Sequence, residues 1–90
     1  MSSIKFEVFG KVQGVWFRKY TKKKVDELGI FGWCKNTSKG TVKGEATGET
    51  DKLKEFKNYL INEGSPKSKI DHAKIEVTEK LDFSDFQIIR

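Results

Sequence analysis

Ninety residues, 36% hydrophobic and 12% aromatic, carry a formal net charge of +5. A chain this short buries only about 60–65% of its extended surface, so the length allows one domain, 1–90, and excludes two independent cores. The single cysteine, Cys34, excludes an internal disulfide and a multi-cysteine metal site.

A lone thiol fits a reducing compartment, and no signal pattern or apolar run near the ~20 residues of a membrane span is present. The expectation is a cytoplasmic monomer that has no membrane partner. Through residue 45 there are ten Lys/Arg against four Asp/Glu, and from residue 46 eight against nine. The basic excess therefore sits in the first half and favours an anionic partner there.

Ile4, Phe6 and Val8 alternate with Lys5, Glu7 and Phe9, which predicts a first strand. From Gly10 to Phe17 two glycines break the alternation. Phe17, Thr21, Val25 and Leu28 then form one helical stripe, and Gly29 stands where a left-handed cap belongs. A second strand is expected over Ile30–Asn36 and a third over Thr41–Thr47, joined by turn chemistry at Thr37-Ser38-Lys39-Gly40.

Thr50 is the expected N-cap of a second helix, flanked by Glu49 and Asp51 to suit the dipole. Leu53, Phe56 and Leu60 give its stripe, and Gly64-Ser65-Pro66 ends it. Ala73, Ile75 and Val77 alternate in a fourth strand, and Phe86 and Ile88 suggest a short fifth. The order βαββαβ with an added strand predicts an α+β fold: a ferredoxin-like split βαβ sandwich, with two helices on one face of a four- to five-stranded, largely antiparallel sheet.

Gly10 to Arg18 reads from spacing alone either as an ordinary strand–helix turn followed by a solvated arginine or as an anion-binding loop. A Gly-flanked loop between strand and helix can turn successive N–H groups toward one point, and the helix adds its unpaired N–H groups and positive dipole end. Arg18 is electrostatically misplaced at a helix N-terminus by roughly 0.3–1 kcal/mol, a penalty that a bound dianion reverses. Asn36 ends strand two at the sheet edge where the loop begins. An asparagine before a hairpin is most often a turn former; the other reading is an amide that holds a water beside a phosphate, where a carboxylate would repel it.

His72 is the only histidine and falls on the exposed phase of strand four, so a zinc site is not expected. The acids of the C-terminal half are scattered, so carboxylate-bound magnesium is not expected either. Cys34 reads as a packing thiol. No side-chain nucleophile is evident.

Gly10-Lys11-Val12-Gln13-Gly14-Val15-Trp16-Phe17-Arg18 resembles the G-x-V-Q-G-V-x-F-R signature of the acylphosphatase family. Gly32-Trp33-Cys34-Lys35-Asn36-Thr37-Ser38-Lys39-Gly40-Thr41-Val42, followed by Gly48, resembles that family's second signature. The resemblance covers essentially the whole chain, with Trp16 in a variable slot. It implies metal-independent hydrolysis of acyl phosphates to carboxylate and inorganic phosphate, with no cofactor and with phosphate as product and competitive inhibitor. Carried over by residue, the backbone around Gln13, Gly14, Val15, Trp16 and Phe17 holds the phosphate and Arg18 clamps it. Asn36 positions the attacking water with Thr37 assisting, and the substrate's own phosphate is the base.

Two other classes share parts of the pattern. RNA-binding domains of this topology are basic but stack bases on central-strand aromatics; residues 41–47 offer none and Phe9 on the first strand is the one outward candidate, so no nucleic acid partner is expected. The other is an accessory domain that binds acyl or carbamoyl phosphate without turnover. Such domains sit inside larger proteins, and the ending at Arg90 favours a stand-alone enzyme.

Overall fold

Strand β1 (Ser2–Lys11), helix α1 (Phe17–Leu28), strands β2 (Phe31–Asn36) and β3 (Val42–Gly48), helix α2 (Thr50–Asn58), and strands β4 (Lys69–Thr78) and β5 (Phe86–Ile89) follow in the expected order. The computed structural model describes residues 1–14, 16–79 and 82–89. The strands form one sheet in the order β4-β1-β3-β2-β5. The β1–β3, β1–β4 and β2–β3 pairs are antiparallel, and β2–β5 is parallel.

Period-two alternation sends Ile4, Phe6 and Val8 of β1 and Val42 and Ala46 of β3 into the core, where they meet Phe17 and Val25 of α1 and Leu53 and Phe56 of α2. Phe6 meets Phe56 edge-on at 5.5 Å between ring centroids. Gly29 caps α1 in the left-handed conformation, φ 68°, its N–H on the Val25 carbonyl. Cys34 is fully buried, as a packing thiol should be.

The elements depart from expectation at four places. Strand β1 runs on through Gly10 and Lys11, past a bulge after Phe9, to pair with Ile70 and Lys69. Gly10 sits at φ 128°, and a Cβ there would lie 2.1 Å from the Lys69 carbonyl oxygen, so this glycine serves close strand approach rather than the loop. Glu49, not Thr50, is the N-cap of α2, without a side-chain cap bond. The Thr50 hydroxyl lies 2.9 Å from that of Ser2 instead.

The second helix does not run on as α to its stop: Tyr59–Glu63 form a π-turn whose last carbonyl partner is the Gly64 N–H bonded to Tyr59. This wider turn buries the adjacent pair Tyr59 and Leu60 together and sets the Tyr59 hydroxyl 3.1 Å from that of Thr21. On the edge strand β4, Ala73 and Ile75 are half-buried while Val77 is 77% exposed. His72 is exposed as expected, with its ring stacked on Phe9 at 4.3 Å.

One consequence of the register positions the site. Val42, the first residue of β3, pairs with Val8 of β1 on one side and Asn36 of β2 on the other. The end of β1, the end of β2 and the loops that leave them therefore share one edge of the sheet.

Candidate active site

The chain leaves β1 through a tight reversal in which the Val12 N–H donates to the Gly10 carbonyl at 3.1 Å. Gly14 then takes φ 69° and Trp16 takes φ 63°, ψ 21°. Val15, between them, lies outside the described residues. For a residue as bulky as tryptophan a left-handed backbone is an outlier, carrying about 1–3 kcal/mol of strain. Trp16 is the N-cap of α1. Its carbonyl accepts the Tyr20 N–H at 3.1 Å, while the N–H groups of the first turn have no partner within the helix.

The residues of that first turn line a cleft of about 330 Å³. Among the described residues it is lined by Val12, Gly14, Trp16, Phe17, Arg18, Lys19, Asn36 and Ile88. Arg18 and Asn36, eighteen positions apart in sequence, thus face one space. Among the described residues no carboxylate lines it, and two cations do.

Arg18 is half-buried and spends one Nη1–H on the Ile89 carbonyl, 3.3 Å away in β5. Strand β5 thereby holds the guanidinium by its backbone and supplies Ile88 as a wall. Neither role has a sequence signal, because a main-chain carbonyl is offered by any residue. Lys19 was legible only as one of a run of lysines off the helical stripe.

Asn36 carries an unusual feature. Its Oδ1 is a buried side-chain acceptor with no hydrogen-bond partner among the described residues. An orphan of this kind costs about 1–3 kcal/mol, and in a native fold it calls for a donor that binds there. Asn36 also lines a second recess with Glu7, Lys35, Thr37, Ser38, Lys39 and Lys43, so it separates the two spaces.

Thr37 does not line the cleft that holds Arg18; its atoms are spent on the β2–β3 turn. The Thr37 hydroxyl oxygen accepts the backbone N–H groups of Lys39 at 3.3 Å and Thr41 at 3.2 Å. The Thr41 hydroxyl donates to Glu7 Oε2 at 2.6 Å, so the 2.6 Å contact between the two threonines leaves Thr37 as donor. Gln13 binds this turn from the loop side. Its Nε2 donates to the carbonyls of Thr37 and Thr41 at 2.8 and 2.9 Å.

Burial pushes the Cys34 thiol up from 9.0 to about 12, with Arg18 pulling slightly the other way. The group is a neutral packing atom and no nucleophile. Among the described residues no group of three or more His, Cys, Asp or Glu is placed to hold a metal ion. No helix among them is long and apolar enough to cross a membrane.

The acylphosphatase family model matches residues 4–88. Acylphosphatase-1 of Homo sapiens is 47% identical over 91 residues, covering 98% of this chain and 92% of that protein. Acylphosphatase-2 of Gallus gallus is 48% identical over 89 residues, covering 96% and 86%. The crystal structure of acylphosphatase from Bacillus subtilis superposes with a TM-score of 0.94 at 31% identity, covering all of both chains. Fold, cleft and whole-length similarity agree: this chain belongs to the acylphosphatase family.

Proposed function

We propose that this protein hydrolyses acyl phosphates in the cleft between α1, β2 and β5, with Arg18 holding the phosphoryl group and Asn36 the water. The observation that carries the reading is the convergence of Arg18 and Asn36 on one space at a helix N-terminus, lined by no carboxylate among the described residues. Family membership supplies the reaction class.

The phosphate rests against the N–H groups of the loop and first helical turn, including those of Gln13, Gly14, Trp16 and Phe17, with the dipole end favouring its charge. Arg18, anchored on one side by Ile89, presents its remaining N–H groups to the non-bridging oxygens. A water donates one hydrogen bond to Asn36 Oδ1, which aims its lone pair at phosphorus. The new P–O bond forms as the bond to the acyl oxygen breaks, and the electron pair leaves with the carboxylate. The water's proton passes to a phosphoryl oxygen, so no side-chain base is needed. Carboxylate is a good leaving group, and positioning plus charge stabilisation supply the rest.

Thr37 acts here through the turn it organises. The protein works as a monomer in the cytoplasm, without a metal or cofactor, and inorganic phosphate competes for the cradle. The test is benzoyl phosphate hydrolysis by EDTA-treated protein. Turnover well above the spontaneous rate, inhibited competitively by phosphate, is expected; spontaneous-rate hydrolysis defeats the reading.

A further inference from the structure

The cleft accounts for the phosphate and leaves the acyl group unplaced. Trp16 belongs to two depressions at once. On one side it lines the cleft of Arg18 and Asn36, and on the other it lines a groove of about 240 Å³ with Tyr20, Pro66 and Lys67. The two aromatic residues lie four apart at the start of α1, so their side chains share one helix face. Trp16 is 64% exposed and Tyr20 38%. The Lys19 ammonium stands 4.2 Å from the Trp16 ring centroid, which steadies the indole and leaves most of it open. A strained backbone that displays a large ring to solvent beside a polar cleft needs a purpose beyond packing.

In-line displacement sets the direction in which the substrate extends. The leaving oxygen lies opposite the attacking water, hence on the far side of phosphorus from Asn36. The second recess contains Asn36 and lies on the water's side. The Trp16–Tyr20 groove does not contain Asn36 and adjoins the cleft through Trp16 alone among its lining residues.

We propose that this groove is the acyl subsite, in which an aromatic acyl group stacks on the Trp16 indole with Tyr20 and Pro66 completing the apolar walls. It rests on the reading of the neighbouring cleft as the phosphoryl site. A benzoyl group offers a flat apolar face to stack on the indole, and an acetyl group, two carbons long, offers none. The protein therefore discriminates among acyl phosphates by the flat apolar surface of the acyl part.

The experiment compares kcat/KM for benzoyl and acetyl phosphate in the parent, Trp16→Asn and Tyr20→Ala proteins. Asparagine tolerates the left-handed backbone, so Trp16→Asn removes the ring and keeps the loop. Inhibition by inorganic phosphate checks that each variant keeps its cradle. The benzoyl-to-acetyl ratio is expected to fall roughly three- to ten-fold in each variant, the worth of one aromatic contact. A ratio equal to the parent's in both variants overturns the subsite while leaving the phosphoryl site standing. A parent protein that hydrolyses neither substrate defeats the underlying reading as well.

Discussion

Gln13 and Thr37 join the loop after β1 to the turn after β2: the Gln13 amide donates to the Thr37 carbonyl at 2.8 Å and to that of Thr41 at 2.9 Å. The loop that carries the phosphate N–H groups and the turn that follows Asn36 are thereby one piece. Replacing Gln13 with alanine leaves two carbonyls without this donor and frees the turn. A stability loss of about 1–3 kcal/mol is expected in urea unfolding. The kcat loss should reach about 100-fold, since misplacement by an ångström is enough. Phosphate inhibition should weaken far less than kcat; equal losses would mean that Gln13 serves the cradle itself.

Arg18→Gln should lower kcat/KM by on the order of 10²–10³ and weaken phosphate inhibition with it. Arg18→Lys should recover little, because an ammonium cannot bond the Ile89 carbonyl and grip two phosphoryl oxygens with one planar fork. Steady-state kinetics with phosphate titration checks both.

Asn36→Ala separates function from stability. Turnover should collapse while phosphate inhibition persists, because the water's acceptor is lost and the cradle is kept. Unfolding in urea should show the variant no less stable than the parent, since the removed oxygen is a buried acceptor with no partner. A clear stability loss would mean that the amide is a structural bond and would remove the support for its role as water holder.

Alkaline pH should unfold the protein through two buried groups. Burial raises the Cys34 thiol from 9.0 to about 12. Burial also raises the Tyr59 hydroxyl from 10.0 to about 12, opposed by the Thr21 hydrogen bond. Both folded values lie above the unfolded ones, so the folded state keeps protons that the unfolded chain releases. Stability is then full below about pH 9 and falls as pH climbs toward 12. Urea midpoints measured from pH 8 to 11 check the slope, and Cys34→Ala should flatten it. At pH 8 the native thiol should react with a disulfide reagent only as fast as the protein opens.

The fold was legible because periodicity survives folding: the stripes of Phe17–Leu28 and the alternation of Ile4, Phe6 and Val8 are where the sheet and helices bury them. The misplaced boundaries share one cause, a contact distant in sequence. Gly10 reads as loop until β4 arrives against it, and Thr50 reads as a cap until Ser2 takes its hydroxyl. Arg18 stood out because a cation at a helix N-terminus breaks a local rule, and Asn36 because of its place at the end of strand two in a recognisable motif. The Gln13 amide and the Ile89 carbonyl could not be anticipated. Their partners lie 24 and 71 positions away, and nothing local distinguishes them.

The parallel pairing of β2 with β5 has a consequence for how activity is acquired. The cleft draws on Val12 at one end of the chain order and Ile88 near the other, and Arg18 is tethered to a carbonyl from the last strand to be synthesised. A nascent chain can build its first hairpins and helices on the ribosome, yet the guanidinium has no anchor until β5 emerges and slots in beside β2. Turnover therefore reports the completion of folding.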